Sequence, residues 1–260
     1  LDVWGKYVVC KEKSRKCPER KERKKLKWKC IIFKKLLRRL ILVKVAWSTT
    51  HQEFIISDHY YFSKLQRYAK ENDILVDEVD EFEKFANYDV IIFNYPEIPF
   101  KKEEVDFIED LVKKGKKVGI FAYYKNEDRI ADTCNTMAER FGIKFNGDII
   151  TDDVNNYDND NLLITTTKTS QKMKEKGINK VVLACTDSLS IIGNNVEPVI
   201  YAEDTGKSLL GKDKILFARY QDPSGGCFIA GGTCVFWDNY SIDLYNNKEL
   251  SIQLLSHKKW

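Results

Sequence analysis

The sequence predicts an α/β protein with a mostly parallel sheet, helices on both faces and extra β-strands in its C-terminal half. Three observations predict this class. Continuous apolar runs such as 88–94 and 116–124 are typical of strands buried on both faces. In the first half, segments with the apolar spacing of a helix separate these runs. In the second half, short apolar runs predominate. With 260 residues, 43% of them apolar, the chain is long enough for one large or two small domains.

The elements of the first half alternate regularly. Strands are predicted at 53–57, 74–79, 88–94 and 116–124, and helices at 61–72 and 101–115. Pro96 and Pro99 exclude helix before Lys101, and Gly115 ends the helix that follows. Asn126 is predicted to cap the next helix, which contains the run "IADTCNTMAERF".

The second half is predicted to be richer in strands. They fall at 161–167, 181–186, 197–203, 214–222 and 227–232, before a closing helix at about 244–257. Neither an internal repeat nor a proline- or glycine-rich linker divides this region. We therefore expect one α/β domain over residues 50–260, preceded by a basic, partly helical arm over residues 1–49.

The arm is defined by its charge. Residues 1–45 hold 17 Lys/Arg and 4 Asp/Glu, a formal +13, whereas the remainder carries −9. Such an arm is suited to an anionic membrane, nucleic acid or an acidic partner, or it is a solvated extension. Its last part, 31–47, is predicted to be a basic amphipathic helix that lies on a membrane or packs on protein.

Seven cysteines without a CxxC pair indicate a reducing compartment, so a cytoplasmic location is expected, with membrane association through the basic helix. Cys10, Cys17 and Cys30 match no usual zinc spacing. We therefore predict neither a metal nor a cofactor.

Three motifs that suggest chemistry are better explained without it. Cys234 follows Gly231 and Gly232, but position 236 is Phe where a nucleophile elbow requires Gly. Structural roles are predicted instead for the glycines that flank the strand: Gly225, Gly226, Gly231 and Gly232. The Gly-Lys-Ser at 206–208 lacks the first glycine of a phosphate-binding loop, and the acids of 152–160 lack the calcium-loop pattern.

A candidate pocket is predicted where strands end at the carboxyl edge of the sheet, the usual ligand position in open α/β sheets. Its edge is formed by Asp58, His59, Asn94, Tyr95, Tyr123 and Tyr124. These residues offer polar and aromatic contacts, and they contain neither an evident nucleophile nor a metal centre.

Four segments resemble the GIFT domain, which a gliding-motility transporter auxiliary protein, an intraflagellar-transport subunit and many uncharacterised prokaryotic proteins share. They are "DHYYFSKLQRYAKEN", "YDVIIFNYPEIPFKKEEVDFIEDLVKKGKKVGIFA", "MAERFGIKFNGDIITDDVNNY" and "GGCFIAGGTCVFWDN". The resemblance covers roughly residues 53–255. Relatives often have Gly-Asp-Ser where this sequence has Gly232, Thr233 and Cys234.

The resemblance implies a flavodoxin-like fold similar to that of class I glutamine amidotransferases. Those enzymes place a cysteine in an elbow after a central strand and pair it with His-x-Glu. Here the matching turn is Ala122-Tyr123-Tyr124, which holds no cysteine, and the single His-x-Glu of the sequence, His51-Gln52-Glu53, lies well before that turn. The resemblance therefore implies a non-catalytic scaffold or ligand-binding role, within a transport or membrane-associated assembly.

Three hypotheses of function follow. The first is a binding or assembly module that contacts an unidentified protein or small molecule. The second is a hydrolase or transferase that uses Asp58, His59 and the acids of 152–160, which requires His59 to reach a carboxylate inside a pocket. The third is nucleic-acid binding through the arm, with affinity that falls steeply as salt rises.

Overall fold

The computed structural model describes residues 42–256. They form a mixed α/β fold around a nine-stranded sheet, with two smaller antiparallel sheets. The strands are β1 (Val43–Ser48), β2 (Ile74–Val79), β3 (Val90–Asn94), β4 (Lys117–Phe121), β5 (Ile143–Phe145), β6 (Ile150–Thr151), β7 (Asn156–Tyr157), β8 (Asp160–Thr166), β9 (Val181–Ala184), β10 (Leu189–Ile191), β11 (Val196–Tyr201), β12 (Lys207–Ser208), β13 (Ile215–Gln221) and β14 (Cys227–Gly231). The helices are α1 (His59–Glu71), α2 (Lys102–Lys113), α3 (Ile130–Ala138), α4 (Gln171–Lys174) and α5 (Asn247–Leu255).

The centre of the large sheet is parallel. Its strands β2, β1, β3, β4 and β14 pair in that order, with Val45 opposite both Val76 and Val90. Every residue of β3, β4 and β14 is buried. Burial on both faces explains why these strands are continuous apolar runs rather than alternating ones.

Antiparallel strands extend the sheet beyond β14. Strand β13 pairs with β14, β10 pairs with β13, and β5 forms the edge, while β11 also pairs with β13. The predicted α/β class, a mostly parallel sheet with additional strands in the C-terminal half, is confirmed.

Two helices of the first half show why the sequence forms them. The Asp58 carboxylate accepts the Tyr60 N–H at 3.0 Å and caps α1, whose apolar side buries Phe62 and Leu65. At the start of α2 the Glu104 carboxylate accepts the Lys101 N–H at 2.7 Å, and the helix ends just before Gly115, at φ +88°.

Two predicted elements are wrong. The amphipathic helix predicted through Trp47 is a strand over Val43–Ser48, because this segment pairs with strands on both sides. The strand predicted at 53–57 is a loop, held by a 2.7 Å hydrogen bond from Trp47 Nε1 to the Phe54 carbonyl. The rest of the predicted arm, through residue 41, lies outside the described residues. The domain boundary predicted at residue 50 therefore stays a prediction. Strand β1, which lies before that residue, is part of the large sheet.

Within residues 42–256, no helix combines the length and apolar character needed to cross a bilayer.

Candidate binding cavity

A cavity of about 740 Å³ lies at the carboxyl ends of four parallel strands, and we call it the carboxyl-edge cavity. Its walls come from the segments that follow β1, β3, β4 and β14, together with the first turn of α1. The chain runs from β1 to β2 on one side and then returns to β3 on the other. In open α/β sheets, ligands bind at the carboxyl edge where the strand order reverses in this way.

One wall of the cavity is a continuous row of aromatic rings. Phe54 stacks on Tyr95 with a centroid distance of 4.6 Å and an interplanar angle of 11°. Tyr95 meets Tyr123 at 5.9 Å, and Tyr123 meets Tyr124 edge to face at 4.7 Å. Such a row offers a large apolar contact area together with phenol groups.

Carboxylates supply the charge of the cavity. They are Glu53, Asp58, Glu127, Asp128 and Asp238. Within residues 42–256, the lining contains no lysine, arginine or histidine. An acidic and aromatic cavity attracts cations and repels anions such as phosphates.

Glu53 and Asp238 are the most deeply buried of these acids, each with 5% of its surface exposed. For Glu53 this burial leaves one oxygen unpaired within residues 42–256. Its Oε2 accepts the His51 N–H at 2.7 Å, whereas Oε1 is buried and has no hydrogen-bond partner among the described residues. Burial raises the pKa of Glu53, and the nearby Ser48 hydroxyl and the His51 amide oppose this only in part. A buried carboxylate oxygen without a donor is uncommon in native proteins.

The phenols and the backbone around the cavity are held in place. The Tyr95 hydroxyl donates to Asp128 at 2.8 Å, the Tyr123 hydroxyl hydrogen-bonds to the Cys185 thiol, and burial raises the pKa of both phenols. Tyr95, Lys125 and Asp128 have φ values of 64°, 56° and 51°. For residues other than glycine this left-handed conformation costs about 1–2 kcal/mol each. Strain of this kind clusters at binding and active sites.

Cys234 lines the cavity but lacks the surroundings of a nucleophile. It is buried, and burial raises the pKa of its thiol, so it remains protonated at neutral pH.

The glycines beside this cysteine allow close packing. A Cβ at Gly232 would lie 2.1 Å from the Asp187 carbonyl oxygen, and one at Gly226 would lie 1.9 Å from the Val112 carbonyl oxygen. At Gly231 a Cβ would lie 2.6 Å from the Phe121 ring, and Gly225 has φ +98°. Each of these positions favours glycine, and the structural roles predicted from the sequence stay a prediction.

The structure places four of the six predicted pocket residues on the cavity: Asp58, Tyr95, Tyr123 and Tyr124. Asn94 is buried outside the lining, where its Oδ1 accepts Trp237 Nε1 at 3.2 Å and its Nδ2 has no partner among the described residues. His59 is the exposed first residue of α1 and is also outside the lining. Ligand binding at these residues stays a prediction.

The acids of 152–160 stabilise their own loop. Asp152 accepts the Val154 and Asn155 amides at 2.9 and 2.8 Å and the Thr205 hydroxyl at 2.7 Å. Asp153 pairs with Lys207 at 2.6 Å. In the described part of the chain, the structure does not bring His59 to these carboxylates.

Several lining residues were not predicted as site residues, among them Glu53, Tyr61, Asp128 and Asp238. Glu53 is the first residue of the run 53–57 that was assigned to a strand, so its position in a loop after β1 was hidden. Asp238 was predicted to cap a turn, and it does accept the Tyr240 and Ser241 amides at 3.1 and 2.8 Å. The sequence signal that could have identified these acids is their position. Glu53, Asp128 and Asp238 lie in the segments that follow β1, β4 and β14.

The fold and cavity define an α/β protein with a ligand-sized cleft at the carboxyl edge of its parallel strands. No family model matches the chain. The sequence is 52% identical over 221 residues to an uncharacterized protein of Aquifex aeolicus (strain VF5), covering 83% of this chain and 94% of that protein. The chain therefore belongs to the family of that Aquifex protein.

The fold is similar to that of the IFT52 N-terminal domain. The TM-score is 0.68 at 16% sequence identity, over 82% of this chain and 97% of that domain. This similarity supports the GIFT-like fold that the sequence resemblance implied. A cytoplasmic protein from Salmonella typhimurium matches 83% of this chain and 98% of its own, with 12% identity and a TM-score of 0.44, which is too distant to carry an argument.

Proposed function

We propose that this chain is a GIFT-type, flavodoxin-like binding module that serves assembly rather than catalysis. The carboxyl-edge cavity is its contact site, and its physiological ligand is a segment of a partner protein in a transport or membrane-associated complex. The observation that carries this proposal is a cleft lined by aromatic rings and carboxylates, one of which is buried without a full set of partners.

The strand order supports the position of the contact site. The order β2-β1-β3-β4-β14 corresponds to the flavodoxin-like order 2-1-3-4-5, in which the ligand binds at the switch between the first and third strands. The likeness to the IFT52 N-terminal domain supports the fold, and the sequence resemblance to GIFT domains supports the assembly role.

The mouth of the cavity supports a protein ligand. Phe54, Ile55 and Tyr61 line it and remain 48%, 44% and 45% exposed. The neighbouring Tyr60 is 66% exposed and contacts Tyr61 edge to face. Large apolar side chains grouped on a surface mark interaction sites, and aromatic anchors dominate binding energy in protein interfaces.

The hydrolase or transferase hypothesis finds less support. It requires His59 to reach a carboxylate inside a pocket, whereas this side chain is exposed outside the cavity lining. The amidotransferase cysteine position is occupied by the turn at Ala122-Tyr123-Tyr124.

Site-specific cross-linking in cells that express the chain tests the proposal. A photoreactive phenylalanine analogue at Tyr124, on the cavity, is compared with the same analogue at Tyr157, an exposed position outside it. We expect a discrete product from position 124 only. Mass spectrometry identifies the partner, and binding is then reconstituted with both proteins purified. Equal products from both positions, or failure of the purified pair to bind, would overturn the proposal.

A further inference from the structure

We propose that the carboxyl-edge cavity binds an organic cation, an ammonium or guanidinium group on an aliphatic stem, with Glu53 as its buried counter-ion. The inference rests on the proposed function and adds the charge and shape of the ligand. The cation is a basic side chain of a partner polypeptide or a free small amine, and the chemistry of recognition is the same for both.

Glu53 supplies the observation that points to a ligand. The residue is 5% exposed and lines the cavity, and its Oε1 is buried with no donor within the described residues. A buried carboxylate without a full set of donors is destabilising. A donor carried by a ligand removes that penalty, and a charged donor forms the stronger hydrogen bond. This observation does not depend on how many acids surround the cavity.

The local charges favour a cation over a neutral donor. Four further carboxylates line the cavity. Two lysines that follow lining residues in the sequence, Lys64 and Lys125, have other contacts. Lys64 Nζ pairs with Asp243 at 2.6 Å and donates to the Asn239 carbonyl at 2.8 Å. Lys125 Nζ lies 5.3 Å from the centroid of the Tyr124 ring, facing it. Within the described residues, neither lysine forms an ion pair with a carboxylate of the lining, so these carboxylates are available to a cationic ligand.

The aromatic row completes the site for a cation. The faces of tyrosine and phenylalanine rings attract ammonium and guanidinium groups within about 6 Å of the ring centroid. The contact between Lys125 and Tyr124 shows that this part of the row already accommodates an ammonium group. A volume of about 740 Å³ is within the range of ligand pockets and leaves room for an aliphatic stem beside the rings.

An NMR titration of the full chain tests the inference. The probes are blocked tripeptides, glycine–X–glycine, in which X is arginine, its neutral isostere citrulline, or glutamate, together with agmatine as a free amine. We expect arginine to shift the backbone amides of Glu53, Tyr95 and Tyr124, with about tenfold weaker binding of citrulline and none of glutamate. Binding of both arginine and agmatine supports recognition of the cationic group, and binding of agmatine alone assigns it to a free amine.

Two variants locate the counter-ion. Glu53→Gln should weaken arginine binding about tenfold, because a charge-assisted hydrogen bond is replaced by a neutral one. Asp153→Asn is the matched control, since its carboxylate pairs with Lys207 outside the cavity, and it should bind like the wild type. If Glu53→Gln does not fold, Asp128→Asn replaces it and should weaken arginine binding several-fold.

The outcomes separate this inference from the proposed function. Equal shifts with arginine and citrulline at the cavity amides would overturn the cation inference and leave a binding cavity in place. Shifts absent for both arginine and agmatine would also overturn it, and the cross-linking experiment would then decide the proposed function independently. If arginine shifts only backbone amides outside the cavity, and Glu53→Gln leaves these shifts unchanged, the cation inference is also overturned.

Discussion

Two groups of buried carboxylates in this fold have opposite surroundings. Asp148 and Asp187 lie in the segments that lead out of β5 and into β10, where both are buried and each of their carboxylate oxygens accepts at least one hydrogen bond. Glu53, in the carboxyl-edge cavity, is buried almost as deeply but has an oxygen without a partner. From this difference we expect Asp148 and Asp187 to stabilise the fold and Glu53 to contact a ligand.

The donors around the first group all come from the protein itself. Asp187 accepts the Gly147 and Asp148 amides at 3.0 and 2.6 Å. Asp148 accepts the Ile149 and Leu210 amides at 2.7 and 3.0 Å, and the hydroxyls of Ser188 and Ser208. These bonds join segments that are far apart in the sequence. We therefore expect changes here to affect stability and changes at Glu53 to affect binding.

The largest expected effect is a pH dependence of stability due to Asp187. Burial raises the pKa of this carboxyl from 3.8 to about 7. Below pH 4 the Asp187 carboxyl is protonated in both the folded and the unfolded protein. Between pH 4 and 7 the folded protein keeps this proton, whereas the unfolded protein has lost it. The free energy of unfolding should therefore fall as pH rises through this window, by up to about 4 kcal/mol.

Urea unfolding at pH 5 and pH 8 measures this dependence. Burial also raises the pKa values of Glu53 and Asp238, which add to the same trend. Asp187→Asn should therefore reduce the pH dependence without abolishing it. Stability that rises between pH 5 and pH 8 in the wild type would contradict the account.

The next effect is the loss of the Asp148 carboxylate. Asp148→Ala leaves the buried Ile149 amide and the partly buried Leu210 amide without their acceptor, so the free energy of unfolding should fall by about 3 kcal/mol. The measurement is urea unfolding at one pH. Asp153→Ala, which removes an exposed carboxylate, should leave the unfolding midpoint nearly unchanged. A midpoint for Asp148→Ala as high as that of this control would remove the distinction between the two groups.

A third effect concerns Gly232, which packs on the backbone of Asp187 and lies two residues from the cavity. Gly232→Ala places a Cβ 2.1 Å from the Asp187 carbonyl oxygen, so we expect a loss of about 2–3 kcal/mol in unfolding free energy. Gly206→Ala should cost less, because its Cβ would lie 3.1 Å from the Ala202 Cβ. Thermal unfolding measures the loss of stability in each variant. A larger loss for Gly206→Ala than for Gly232→Ala would contradict this prediction.

The smallest effect has the opposite sign. Glu53→Gln keeps an acceptor for the His51 N–H and removes a buried charge, so it should increase the unfolding free energy by about 1 kcal/mol at pH 8. The same variant should weaken ligand binding, which is the usual exchange of stability for function at a binding site. A clear loss of stability would place Glu53 with Asp148 as a structural acid.

The sequence predicted most of the parallel sheet because its strands are buried on both faces. The runs that became β3, β4 and β14 are bounded by turns and contain few polar residues. Strand β2, at the edge of the sheet, was predicted from the apolar residues 74–76, although it is partly exposed. Strand β1 was assigned to a helix because Val43–Ser48 continues a basic apolar stretch without a break. Only its pairing with β2 and β3 identifies it as a strand, and long-range pairing is not visible in local periodicity.

The candidate site was partly predictable for a related reason. Tyr95, Tyr123 and Tyr124 follow strands that the sequence shows plainly, so their meeting at one edge could be inferred. The loop at 53–57 looked like a strand because Phe54 and Ile55 are apolar. In the structure these side chains lie at the cavity mouth and not in the core. Two hydrogen bonds hold this loop in position. Trp47 Nε1 donates to the Phe54 carbonyl, and the Phe54 amide donates to the Asn94 carbonyl.

The most direct test of the account is a crystal structure of the protein soaked with agmatine. The account predicts guanidinium density in the carboxyl-edge cavity, with a nitrogen about 3 Å from Glu53 Oε1 and the aliphatic stem along the row of Phe54, Tyr95 and Tyr123. Agmatine found only at exposed acids such as Asp153, with the cavity free of it, would contradict the distinction between the two groups of carboxylates.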